Sequence, residues 1–423
     1  MTVEVLYDYP DPEPMKSAKR AYQASLKLGF TKGGDRSRAV LAMAQALEQS
    51  FDDILEANTL DLEASKEMAV PELILDWLKL TPQRLELTVE ILQRLGEISD
   101  PLRRVRNADF QPEDSQSYSQ LMPLGVIGFI YEAFPDLGAI AAGLCIKTGN
   151  CIILKGSTEA SHSNAAIAEV LQSAIEEVGL PPGCVELVTA EHGASIRDLV
   201  TQDQYVNLVI PYGRSSLVQQ VMRQSTCPAL KSAMGNCYLY WSLNSSLEMV
   251  RWMILDSHQS EPDPVNAIEK VLIHRQAMPS SLAVLWNSLK EKGFEIKGDA
   301  ELVEAFPQLQ LAKDSEWSSP YLTKTVAFKL VDSLEVAIAW INQHSSGHAD
   351  CIVTESYQES RQFALGVNSA STYINTTPRF SRNPSRGDSV FLGMSNQKGH
   401  RRGFISLETL TTVKHIVQGN GRF

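Results

Sequence analysis

Apolar side chains recur at helical spacing over residues 15–28, 37–49, 51–68 and 82–95, which predicts a mostly helical N-terminal quarter. Between Asp100 and Gln120 the pattern breaks into DPLRRVRNADFQPEDSQSYSQ, which reads as a surface loop or as an extended hairpin with an unpaired edge. From Leu121 the pattern changes. The stretch LMPLGVIGFIYEAFPDLGAIAAGLCIKTGNCIILKGSTEASHSN holds a strand, a helix, a second strand and the start of a second helix with almost no spare residues. Residues 125–131 are continuously apolar, as a strand buried on both faces must be, and Pro135 has the fixed φ that suits a first helical turn. Small apolar residues from 137 to 146 let that helix lie close on a sheet. Thr148-Gly149-Asn150 then ends it with residues that tolerate a left-handed turn. The alternation continues with helix 159–178, strand 184–188, helix 193–200, strand 206–210 and helix 214–224. Strands alternating with helices predict an α/β fold with a parallel, doubly wound sheet. After Pro228 an aromatic strand (235–241) leads into helix 245–258, strand 271–274, helix 279–292, strand 324–330, helix 332–343, strand 351–354 and helix 356–366. These strands require a sheet of their own.

A chain of 423 residues exceeds one compact core, so two or three domains are expected. The net charge of -12 leaves no basic excess to neutralise phosphates and argues against non-specific nucleic-acid binding. Cys145, Cys151, Cys184, Cys227, Cys237 and Cys351 lack paired metal spacing and read as reduced packing residues, with no metal site. The start MTVEVLYDYPDPEP has no apolar h-region, and no apolar run reaches membrane-spanning length, so a cytoplasmic protein is expected.

Two junctions carry candidate chemistry. Lys155-Gly156-Ser157-Thr158-Glu159 turns from a strand end into a helix, and such helix N-termini bind anions in parallel sheets. Lys155 there can reach a nucleotide ribose or phosphate, although any α/β protein has such turns. At Val206–Ser215 a buried strand again meets a Gly-containing turn and a helix, with Ser215 and Ser216 as possible N-caps and phosphate donors. Neither matches G-x-G-x-x-G, so spacing alone leaves the ligand undefined. Late in the chain Arg379, Arg382, Arg386, Lys398, His400, Arg401 and Arg402 cluster among Ser, Asn and Gly. Such a cluster solvates a surface or binds an anionic substrate group, for which Arg379, His400 and Arg402 are the candidates.

Several segments together resemble the gamma-glutamyl phosphate reductase (glutamate-5-semialdehyde dehydrogenase) family of the aldehyde dehydrogenase superfamily. They are PLGVIGFIYEAFPD (123–136), KTGNCIILKGSTEASHSN (147–164), PVNAIEKVLIH (264–274), INQHSSGHADCIVT (341–354), YINTTPRF (373–380) and LETLTT (407–412). The resemblance implies an aldehyde-dehydrogenase-like fold. A Rossmann-like dinucleotide-binding domain would span 1–105 and 122–240, an α/β catalytic-type domain 241–370, and a small oligomerisation arm 106–121 and 403–423. It implies NADP(H) as cofactor and reduction of L-glutamate 5-phosphate to the semialdehyde in proline biosynthesis. By the same resemblance Lys155 is similar to the lysine that meets the adenine ribose, Ser215 lies in the turn facing the pyrophosphate, and Glu316 is similar to the glutamate near the nicotinamide ribose.

The family chemistry needs a cysteine thiolate directly before Asn-Ala, and here that position is Val265, followed by Asn266. Pro262 and Pro264 bracket Asp263 just before it and stiffen the loop. The family's Ile-Pro-Arg-Gly-Gly turn is Ile210-Pro211-Tyr212-Gly213-Arg214, its Glu-x-Arg-Pro is Glu132-Ala133-Phe134-Pro135, and its Phe-Gly-Leu-Gly-x-Glu is Arg386-Gly387-Asp388-Ser389-Val390-Phe391. Departures at ligand and nucleophile positions point to a pseudoenzyme, a paralogue without the family's catalysis that binds a small-molecule ligand or a protein partner. The competing reading is an active reductase with Cys237 as substitute nucleophile. A homo-oligomer is expected from the edge-forming arm, with neither nucleic acid nor membrane as partner.

Overall fold

The computed structural model describes residues 13–107, 115–189, 195–243, 245–259, 264–277, 282–399, 401–419 and 421. They form two compact units, one of residues 1–230, 383–392 and 405–423 and one of 231–382 and 393–404.

In the first unit, helices Glu13–Leu28, Gly33–Gln49, Phe51–Glu67, Glu72–Leu78 and Pro82–Glu97 precede a parallel sheet. The short Glu72–Leu78 helix is too brief to show a period and escapes the sequence pattern. The sheet strands lie in the order Val185–Leu187, Cys151–Lys155, Val126–Tyr131, Leu208–Gly213. The chain enters at Val126–Tyr131, steps outward twice, and returns to the other side of that strand, which creates a topological switch point at its carboxyl end. Helix Pro135–Lys147 is buried along its whole length, which its small apolar composition requires. At Gly143 a Cβ would lie 2.3 Å from Leu92, so glycine is what lets helix Pro82–Glu97 pack against it. The Asp100–Gln120 region resolves in favour of extended structure. Strands Val105–Asn107 and Ser115–Pro123 pair antiparallel, and Thr411–Gly419 adds a third strand along the full length of the second. Residues 108–114 between them lie outside the described residues.

The second unit contains a seven-stranded, wholly parallel sheet. Its order is Gln310–Leu311, Glu295–Gly298, Thr325–Val331, Ile268–His274, Cys237–Trp241, Ala349–Val353, Ser371–Ile374. Trp241, Trp286 and Phe328 anchor its core among Leu239, Val271 and Ile273. Strand Cys237–Trp241 pairs with Ile268–His274 and Ala349–Val353, so the boundary between units falls after Leu230, ten residues before the 240 expected from sequence. The C-terminal part of the arm is likewise shorter: 403 and 404 belong to the second unit and 405–423 to the first. Strands Glu295–Gly298, Gln310–Leu311 and Ser371–Ile374 and helices Ala300–Ala305 and Asp314–Trp317 are all short and were not legible as periodic runs. Among the described residues no helix is long and apolar enough to cross a membrane, and no group of His, Cys, Asp or Glu has the arrangement of a metal site.

Candidate cofactor site and the loop around residue 265

A cavity of about 240 Å³ opens at the carboxyl ends of three first-unit strands, lined by Tyr131 and Glu132, by Lys155 to Glu159, and by Arg214. This is where the switch point predicts a ligand. Lys155 ends its strand with its side chain buried, and among the described residues its ammonium makes one hydrogen bond, 3.4 Å to the Gly156 carbonyl. Burial pulls its pKa below the ordinary lysine range. The hydroxyl of Ser157, also in the wall, is buried without a hydrogen-bond partner among the described residues. A buried lysine with one weak contact and an orphaned hydroxyl fit a ligand rich in oxygen acceptors.

Opposite them, Glu132 accepts from the Arg214 backbone N–H at 2.8 Å and from its Nε at 2.9 Å. Gly213 makes this possible: its φ of +148° lies where side chains are strained, and a Cβ would sit 2.7 Å from the Glu132 carboxylate. Sequence reasoning missed this pair because its members are 82 positions apart. The only signal was that Glu132 and Arg214 lie in two motifs that had both changed.

Three expectations need correction. Ser215 and Ser216 are not N-caps: Gly213 ends the strand, extended Arg214 takes the cap position, and exposed Ser215 is already helical and absent from the cavity wall. The helix after the Lys155 turn, Ser161–Glu177, does not offer its N-terminus to a ligand. Asp61 accepts there from the backbone N–H groups of His162 at 3.0 Å and Ser163 at 2.8 Å. Finally, Arg379, His400 and Arg402 do not form one anion site as grouped. Arg379 lies 3.4 Å from Asp256 and from Gln259, Arg402 lines a different cavity, and His400 falls outside the described residues.

In the second unit Val265 is buried and its carbonyl accepts from Gly235 N at 3.0 Å. A Cβ on Gly235 would lie 2.1 Å from that carbonyl oxygen and 3.1 Å from the Cys237 sulfur, so the thiol lies near the 265 backbone. Cys237 is fully buried, and desolvation, with Asp350 nearby, pushes its pKa well above the ordinary thiol value. A thiol so held is neutral and a poor nucleophile. Asn266, also buried, donates from Nδ2 to the Pro378 carbonyl at 3.1 Å, while its Oδ1 has no partner among the described residues. Glu316 is engaged within its own unit by Lys297 at 3.0 Å, the Lys313 N–H at 3.1 Å and the Tyr321 hydroxyl at 3.3 Å. Desolvation raises its pKa, but the Lys297 and Lys313 hydrogen bonds outweigh that and leave it lowered. Next to it Lys270, wholly buried, lies 3.6 Å from the Tyr321 ring centre and 3.5 Å from Glu269, and burial brings its pKa down to about 8.

The sequence pattern of the aldehyde dehydrogenase family matches residues 12–236. Over 403 residues the chain is 56% identical to gamma-glutamyl phosphate reductase 2 of Synechocystis sp., covering 95% of this chain and 96% of that protein. It is 39% identical over 406 residues to the gamma-glutamyl phosphate reductase of Gloeobacter violaceus, covering 96% and 97%. The crystal structure of gamma-glutamyl phosphate reductase from Thermotoga maritima superposes with a TM-score of 0.87 at 29% identity, covering 97% of this chain and 99% of that one. A matching fold, a cavity at the expected switch point and full-length likeness agree: the chain belongs to the aldehyde dehydrogenase family, in its gamma-glutamyl phosphate reductase branch.

Proposed function

We propose that this chain keeps the dinucleotide cradle of its family, binds NADP(H) there, and lacks the thioester step by which gamma-glutamyl phosphate is reduced, so that it acts as a binding, regulatory or scaffolding paralogue. The observation that carries this reading is Val265. A branched hydrocarbon has neither the lone pair to attack an acyl phosphate nor a proton to lose. Buried Lys155 and the unpartnered Ser157 hydroxyl support retention of the cradle, and Lys155 supports the phosphorylated cofactor. A bound NADPH supplies hydride chemistry; Lys155, Ser157 and Arg214 are the groups of this chain that would hold and orient it.

A second reading has one observation in its favour, the nearness of the Cys237 sulfur to the 265 backbone, and would make this an active reductase. Burial and a raised pKa weigh against it. One experiment separates the two. The purified protein is titrated with NADPH and assayed with L-glutamate 5-semialdehyde, phosphate and NADP, alongside Cys237→Ala. Binding without turnover in either protein is expected. Turnover that disappears in Cys237→Ala would install that thiol as nucleophile.

A further inference from the structure

The second unit holds a cavity of about 360 Å³ whose wall comes from stretches far apart in sequence. Lys231, Lys398 and Arg402 line it, and no acidic residue does. No ion pair among the described residues engages any of the three. In a chain of net charge -12, three unpaired cations around one hollow make a local positive field that a multivalent anion would neutralise.

The wall is also built rigidly. The Arg402 guanidinium donates to the Asn368 carbonyl, and Asn396 Nδ2 donates to the Ser346 carbonyl. Ser346 is locked in turn: its N–H donates to the Asn236 carbonyl at 3.1 Å, and its hydroxyl accepts from Asn236 N at 2.8 Å. Behind the wall the Asp350 carboxylate accepts from the Ser345 hydroxyl at 2.7 Å, from the Ser369 hydroxyl and from Tyr238 N, and among the described residues it makes no ion pair with the three cations. Among the described residues the Oδ1 of cavity-lining Asn396 is buried with no donor. It calls for a ligand that brings a hydrogen to donate as well as negative charge.

The geometry points to a phosphate-binding site in this cavity, taking inorganic phosphate or a small phosphate monoester, with Lys231, Lys398 and Arg402 meeting the oxygens and Asn396 accepting a P–OH. The site stands independently of how residue 265 is read. Sulfate has no such hydrogen at neutral pH, and a dicarboxylate has a different shape, so both should bind more weakly.

Calorimetry of the full chain at fixed ionic strength tests this, with inorganic phosphate, O-phosphoserine, sulfate and glutarate as probes. Saturable binding of phosphate is expected, at least tenfold tighter than that of sulfate or glutarate. Phosphate alone would identify the free ion as ligand, and phosphate with O-phosphoserine would identify a monoester. Because Arg402 also holds the wall, the decisive variants are Lys231→Gln and Lys398→Gln; the Lys398 side chain makes no hydrogen bond among the described residues. Each should weaken phosphate at least tenfold, while Arg379→Gln, outside the cavity, should leave it unchanged. Absence of saturable binding, equal affinity for sulfate, or equal losses in the Arg379 control would overturn the assignment.

Discussion

The carboxylate of Asp61 accepts the backbone N–H of Ser163 at 2.8 Å and its hydroxyl at 2.6 Å, across 102 positions of sequence. The helix that follows the Lys155 turn thus has a resident anion at its N-terminus, supplied by an earlier helix. Because Asp61 is buried, Asp61→Ala should strand several donors and cost about 1–3 kcal/mol. Urea unfolding checks this; a wild-type midpoint would remove Asp61 from the role of cap.

Cofactor affinity should rest on Lys155. Lys155→Met keeps most of the buried volume and removes the charge, and we expect NADPH to bind at least about tenfold more weakly with the thermal midpoint little changed, since a charge-assisted hydrogen bond is worth roughly 1.5–3 kcal/mol. Fluorescence titration measures it. An unchanged affinity in a protein that binds NADPH would exclude Lys155 from the site.

Acid stability should reveal two opposed buried groups. Burial, helped by Lys231 and Arg402, lowers His348 from 6.5 to about 4. Its contribution is complete above the unfolded value and is lost as pH falls from 6.5 towards 4. Burial raises Asp350 from 3.8 to about 6 despite bonds from Ser369 and Ser345, so its ionisation costs stability above pH 6 and that cost is relieved on acidification. Each is worth on the order of 3 kcal/mol, and they largely offset between pH 6 and 4. Asp350→Asn should therefore lose more stability than the wild type between pH 6.5 and 4.5. Parallel urea midpoints at the two pH values test it; an equal loss refutes the offset.

The protein should be at least a dimer. Thr411–Gly419 is one of the two outer strands of a three-stranded sheet, with Val413 and Val417 exposed along it, and an edge of this kind is a template for pairing with another copy. Light scattering at micromolar concentration is the check, and a monomer mass contradicts it.

Much of the architecture was legible because the long elements announce themselves: the apolar run at 126–131, the small-residue helix after Pro135 and the glycine turn at 149 lie where the pattern placed them. The place of Lys155 in a cavity wall was legible for a similar reason, since strand ends in a parallel sheet border the crevice at the switch point. What stayed hidden depends on contacts made through the fold. Nothing local marks Asp61 as the cap of a helix 102 positions away, or Arg214 as the partner of Glu132. Ser215 shows the converse error, because a cap position depends on where the preceding turn releases the chain, and Gly213 releases it one residue early. The basic tail looked like one cluster, yet Arg379 and Arg402 part company once Asp256 and Gln259 claim the first.

The pairing of Ser115–Pro123 with Thr411–Gly419 also sets an order of events at the ribosome. Synthesis runs from the N-terminus, so the earlier strand emerges long before its partner exists, while residues 231–382 of the second unit come out as one uninterrupted stretch. The later-made unit has all its residues once 393–404 emerge and can close first, while the earlier-made one waits for strand Thr411–Gly419. Throughout that interval the nascent chain carries an open strand edge, the kind of surface that chaperones shield and that neighbouring nascent chains can capture.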